Sequence, residues 1–119
     1  MKNKIIILTG DPNSINSEII AKSWKKLNTE IKKKILLVGS YKLINSQFRK
    51  INKNIKLIEV KSLNENTLSN SLKIIDIPIN FTNPFNVTLK SSSKYVLESL
   101  NFAHKLCLEK KIKGFINCP

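Results

Sequence analysis

Two uninterrupted apolar runs constrain this chain more than anything else in it: Ile5-Ile6-Ile7-Leu8 and Ile35-Leu36-Leu37-Val38. Neither alternates apolar with polar residues, so neither suits a strand with one wet face. Both suit parallel strands covered on two sides. Between them, residues 14–27 predict a helix with Ile15, Ile19, Ile20, Trp24 and Leu27 along one side. Trp24 continues that stripe, which makes it a packing residue rather than a stacking platform. Strand, helix and parallel strand form a right-handed crossover unit.

The rest of the chain continues the alternation. Residues 41–50 read as a second helix, with Leu43, Ile44, Phe48 and Ile51 buried, and residues 55–60 as a strand at the sheet margin. Residues 62–71 are polar and Asn-rich, a loop with room for a short helix. Ile74-Ile75-Asp76-Ile77 is strand-like, but Pro78 has no N–H to donate, which predicts a position outside the central ladder. Thr82-Asn83-Pro84-Phe85-Asn86 is a turn cluster. Ser91-Ser92-Ser93 then predicts the cap of a long helix reaching about Lys110, with Val96, Leu100, Ala103 and Cys107 as its buried seam. Gly114 ends the connection to a last strand that runs to Cys118 and Pro119. The expected fold class is α/β: three layers, a mostly parallel sheet and helices on both faces, in a single domain over residues 1–119. No internal repeat or linker interrupts it.

Charge and cysteine usage narrow the function classes. Lys and Arg total 21 against 8 acidic residues, a net charge of +13. Such a balance draws phosphates and other anions. Only one of those residues, Arg49, is an arginine, and the lysines are scattered rather than striped. Abundant Lys, Asn and Ile together read as compositional bias, so no nucleic-acid partner is expected. Cys107 and Cys118 lack metal or redox spacing and read as buried core residues. His104 is the single histidine and has Leu108 at i+4, so no metal ligand is expected in this chain. No apolar run approaches the ~20 residues of a membrane span, and no secretory leader precedes Ile5. A cytoplasmic protein is expected.

The first strand leads into Thr9-Gly10-Asp11-Pro12-Asn13-Ser14-Ile15-Asn16-Ser17-Glu18. A strand, a tight polar loop and a helix can present backbone N–H groups to an anion. Gly10, Asp11, Pro12 and Asn13 are therefore the candidate cofactor-binding residues, bordering a cleft; no catalytic residue is assigned. With one glycine the loop is neither a dinucleotide fingerprint nor a P-loop. A plain strand-to-helix turn, with Asp11 bonding its own backbone, is the alternative. Glu18 suits a first-turn helix stabiliser, and Ser91-Ser92-Ser93 could hold a phosphate as well as cap.

This loop resembles the N-terminal signature of the 4-hydroxythreonine-4-phosphate dehydrogenase family, Thr-x-Gly-Asp-Pro-x-Gly-Ile-Gly-Pro-Glu. Gly10-Asp11-Pro12, Ile15 and Glu18 match in register, whereas Ser14 and Asn16 replace glycines and Ser17 replaces a proline. The run from Ile35 to Gly39 is similar to the family's second strand. Leu89-Lys90-Ser91-Ser92-Ser93 through Gly114-Phe115-Ile116-Asn117-Cys118-Pro119 is similar to its Ser-rich loop, long helix and a strand ending in Thr-Ala-Pro.

The resemblance implies an isocitrate/isopropylmalate dehydrogenase-like fold, here in part, with the chain as the N-terminal portion of a longer, homodimeric enzyme. It implies a parent that uses NAD or NADP and a divalent metal. That parent would oxidise the phosphorylated hydroxy-amino acid 4-phosphooxy-L-threonine, with later decarboxylation, on the route to pyridoxal phosphate. The family's metal-binding histidines lie beyond the equivalent of Pro119, so the 119 residues alone are expected to be inactive and, with an unpaired sheet edge, marginally stable or self-associating. Two other classes stay open: a non-catalytic phosphate- or nucleotide-binding module working at the residue 10–17 loop, and a basic nucleic-acid-binding domain.

Overall fold

The computed structural model describes residues 4–63 and 71–118. In chain order the elements are β1 (Ile5–Leu8), α1 (Asn16–Lys26), α2 (Thr29–Lys32), β2 (Ile35–Gly39), α3 (Tyr41–Lys50), β3 (Leu57–Glu59), β4 (Leu72–Asp76), α4 (Leu89–Leu108) and β5 (Gly114–Asn117). The five strands make one sheet in the order β3-β4-β2-β1-β5, and every pairing is parallel. Ile5 pairs with Ile35 on one side and Gly114 on the other, which sets the central register.

Successive residues of β1 serve opposite layers, as a doubly covered strand requires. Ile5 and Ile7 pack into a core shared with Ile20, Ala21 and Trp24 of α1, Ile44 and Phe48 of α3, and Leu37 and Ile74 of the sheet. Ile6 and Leu8 pack the other way, with Val38 and with Ala103 and Leu106 of α4. The chain is thus the expected three-layer α/β fold, with an all-parallel sheet.

Several local expectations are corrected. β4 is an interior strand, paired with both β2 and β3. Pro78 does not prevent this because the last ladder bond is donated by Ile77 N–H to Gly39 O, at 2.8 Å, before the proline is reached. Along α1, Ile15 and Ile19 stand 65% and 48% exposed; the buried side is Ile20, Ala21 and Trp24, with Asn16 and Ser17. The helix begins at Asn16 after Ile15, with no side-chain cap. A short α2, capped by Asn28, follows it, and Lys32 lies over the Trp24 ring at 5.0 Å from its centre.

α4 differs from expectation at its start and in its phase. Its cap is Thr88, whose hydroxyl accepts from Ser91 N–H, so the serine triplet lies inside the first turns. The buried seam is Ser92, Tyr95, Ser99, Ala103 and Leu106. Val96, Leu100 and Cys107 are only half-buried, and so is Cys118. Ser92 and Ser99 tolerate burial because each hydroxyl donates to the carbonyl one turn back, Thr88 at 2.7 Å and Tyr95 at 2.8 Å. α3 and α4 end alike: Lys53 N–H reaches Phe48 O and Lys111 N–H reaches Leu106 O, with Asn52 and Lys110 in the left-handed region. Most of the expected loop at residues 62–71, namely 64–70, lies outside the described residues.

Candidate functional site

The carboxyl ends of β1, β2 and β5 carry the polar residues of the molecule's functional edge. Between β1 and β2 they close into a buried network. Tyr95, 1% exposed, places its hydroxyl 2.7 Å from Thr9 Oγ1 and accepts from Ser40 N–H at 2.7 Å. Burial pushes the Tyr95 phenol above its ordinary value, opposed by these two hydrogen bonds. Gly39 is required beneath: a Cβ there would collide with Thr9 Oγ1 and the Tyr95 hydroxyl. Asp76 Oδ1 accepts from Tyr41 N–H at 2.9 Å, satisfying a first-turn donor of α3.

The residue 10–17 loop is tied down on the same side. Asp11 Oδ1 accepts from Asn13 N–H at 2.9 Å, and its carbonyl takes both the N–H and the hydroxyl of Ser14. Asn13 clasps Val87, donating to its carbonyl at 2.8 Å and accepting its N–H at 2.7 Å. Gln47 Nε2 binds Pro12 O at 2.8 Å and Pro84 O at 2.7 Å. Three loop N–H donors, those of Asn13, Ser14 and Asn16, are therefore already engaged within the loop, which does not fit a cradle for pyrophosphate. Gly10, at φ +73°, faces the Cys118 carbonyl so closely that a Cβ there would collide with it. Asn16 donates from Nδ2 to Thr9 O at 3.2 Å, bracing the turn.

β5 closes on β1, but on the face covered by α4 their carboxyl ends stay open. α4 and these strand ends enclose a crevice at the edge where open α/β sheets bind ligands. It measures about 350 Å³, with Asp11, Leu89, Ser92, Ser93, Asn117 and Cys118 among its walls. Burial raises the Cys118 thiol, which keeps it protonated and poorly nucleophilic.

Of the four loop residues singled out by sequence, Asp11 reaches this crevice; Pro12 and Asn13 hold the loop, and Gly10 lets β5 close on it. His104 stands exposed far along α4. Among the described residues no three His, Cys, Asp or Glu side chains cluster as a metal site, so they do not fit a metal. Tyr95 and Gln47 escaped sequence reading because their partners lie tens of residues away. Among the described residues no helix is long and apolar enough to cross a membrane.

No protein-family model matches the chain. The 4-hydroxythreonine-4-phosphate dehydrogenase of Sulfurihydrogenibium sp. (strain YO3AOP1) is 32% identical over 120 aligned positions, which cover 98% of this chain and 35% of that protein. The solved 4-hydroxythreonine-4-phosphate dehydrogenase from Burkholderia phymatum superposes with a TM-score of 0.85 at 18% identity, over 98% of this chain and 36% of the other. The one from Klebsiella pneumoniae gives 0.80 at 20% identity, over 98% and 37%. Sequence and fold together relate nearly the whole of this chain to about a third of the length of a 4-hydroxythreonine-4-phosphate dehydrogenase, the family its Gly10-Asp11-Pro12 signature resembles.

Proposed function

We propose that this chain is the scaffold and one wall of the substrate cleft in a dehydrogenase acting on 4-phosphooxy-L-threonine, a homodimeric cytoplasmic enzyme of pyridoxal phosphate biosynthesis. The observation that carries the reading is the crevice between α4 and the carboxyl ends of β1 and β5, with Asp11, Ser93 and Asn117 among its polar walls. The similarity along 98% of the chain supports the substrate class. The reaction removes a hydride from the hydroxyl-bearing carbon, with NAD or NADP as its acceptor, and a proton from the hydroxyl oxygen, and the 3-oxo acid then loses CO2. No described residue is assigned to either step.

The roles left to these residues are positional. Thr9, Ser40 and Tyr95 hold β1 and β2 in place behind the crevice, and Asp11 with Asn13 borders it, on the side a cofactor would approach. The divalent metal and the redox cofactor are assigned to residues outside this chain, because the donors here are single or already engaged.

The test compares the 119-residue chain with the protein made from whatever reading frame follows Pro119 in the source DNA. The longer protein is expected to form NADH or NADPH from 4-hydroxythreonine 4-phosphate, and the chain alone is not. Product from the chain alone would overturn its role as a wall. A stop codon directly after Pro119, with no activity in any assembly, would sink the enzyme reading and leave a binding module.

A further inference from the structure

α4 separates the crevice from a second cavity, of about 240 Å³, on the β4 side of its first turns. Its walls include Pro78, Asn80, Ser91, Lys94, Tyr95 and Glu98. We infer that this cavity binds a small zwitterion, a molecule carrying one ammonium and one carboxylate a few bonds apart, such as a free amino acid.

Two charges of opposite sign, Lys94 and Glu98, stand on one wall of this cavity. Lys94 and Glu98 are four residues apart on α4 and could reach each other, yet they form no ion pair, and no other described residue pairs with either. Glu18 and Lys22, with the same spacing on α1, do pair, at 3.5 Å. The order explains the difference: acid before base aligns with the helix dipole, and base before acid opposes it. Lys94 and Glu98 are thus left to a third party. An anion alone would meet Lys94 but be repelled by Glu98, and a cation alone would meet the reverse. A ligand bearing both signs satisfies both.

The remaining wall suits the rest of such a molecule. Residues 78–81 follow β4 outside any helix or strand and make no backbone hydrogen bond among the described residues, and Pro78 has no N–H to make one. Carbonyls and the Asn80 amide are therefore available to an ammonium, and the Ser91 hydroxyl to a carboxylate. Pro78 and Ile79 offer an apolar surface over the buried Tyr95, whose hydroxyl is committed to Thr9 and Ser40. The size fits a molecule of amino-acid dimensions rather than a dinucleotide. Both charges are solvent-exposed, so the affinity is in the millimolar range.

The experiment titrates the ¹⁵N-labelled full-length protein with L-serine, N-acetyl-L-serine (no cation) and L-serine methyl ester (no anion), following the amides of Asn80, Ser91 and Tyr95. L-serine is expected to give saturable shifts and the half-charged analogues to bind at least about tenfold more weakly. Lys94→Gln and Glu98→Gln, both at exposed positions, should each weaken L-serine by a similar factor while the rest of the spectrum is unchanged. The double variant Lys94→Glu/Glu98→Lys takes the acid-before-base order of Glu18 and Lys22, so its charges should pair with each other. L-serine binding should then stay as weak as in the single variants, and wild-type affinity in this variant would overturn the inference. Equal binding of either analogue would make this an anion or cation site and overturn the inference. So would the absence of saturable shifts at tens of millimolar, or wild-type affinity in both single variants. Loss of dehydrogenase activity in the longer protein would bear on the β1–β5 crevice and leave this result untouched.

Discussion

The two sides of β1 meet the same problem with opposite solutions. Toward β2, the carboxyl edge is closed: Thr9, Ser40 and Tyr95 satisfy one another below the surface, and Gly39 has no room for a methyl group. Toward β5 the strand ends stay open on the face covered by α4, where Asp11, Asn117 and Cys118 line a crevice. A buried polar cluster that is fully bonded rigidifies its surroundings, whereas exposed polar groups keep bonding capacity for something else. The closed side therefore holds strand geometry fixed so that the open side can present a shaped surface. Substitutions should separate the two by their cost in stability.

The largest effects belong to the glycines at the seam. Gly10→Ala places a methyl group on the Cys118 carbonyl and asks alanine to hold φ +73°, and both insults fall on backbone that cannot swing away. A loss of about 3 kcal/mol or more is expected in urea unfolding. Gly39→Ala meets side-chain atoms instead, the Thr9 and Tyr95 hydroxyls, so about 1–3 kcal/mol is expected. Equal costs at the two sites would mean that the Tyr95 cluster is as unyielding as main chain.

Next comes Tyr95→Phe, which keeps the ring but strands the Ser40 N–H and the Thr9 hydroxyl. The expected loss is about 1–3 kcal/mol near neutral pH. The phenol adds a pH signature. Burial raises its folded pKa above the ordinary 10.0, so the unfolded chain gives up this proton first as pH rises. Stability from Tyr95 is complete below pH 10 and declines above it, toward the raised folded value. The gap between wild type and Tyr95→Phe should therefore narrow in alkali. A gap that stays constant up to the unfolding limit would show that the phenol is not held neutral by the fold.

Which of these features was legible in the sequence follows from the range of the interactions involved. The strands were legible because doubly covered strands write themselves as apolar runs: Ile5 to Leu8 and Ile35 to Val38 sit where those runs sit. The phase of α4 was not. Sequence reasoning puts serine outside, yet Ser92 and Ser99 face the core, each hydroxyl satisfied by the preceding turn of its own helix. That leaves small side chains where the helix meets the sheet and turns Val96 and Leu100 toward the edge. Pro78 misled for a similar reason. Its missing N–H matters only within a ladder, and the ladder ends at Ile77. At the site, Asp11 was visible from its place in a strand-to-helix loop, whereas the clamp behind it joins Thr9 to a tyrosine 86 residues later, a pairing that no local pattern encodes.

The smallest stability effect is expected on the open side. Asp11 is exposed, and its side chain does one structural task, accepting Asn13 N–H through Oδ1. An asparagine oxygen can accept that bond unchanged, and the Ser14 contacts are made to the main-chain carbonyl of residue 11, which the substitution leaves alone. Asp11→Asn should therefore move the unfolding free energy by less than about 0.5 kcal/mol, while removing the negative charge from the crevice wall. In the longer protein it should alter KM or kcat for the phosphorylated substrate without altering the melting temperature. A loss of stability comparable to Tyr95→Phe would place Asp11 with the closed network instead, and the contrast between the two sides of β1 would then rest on shape alone.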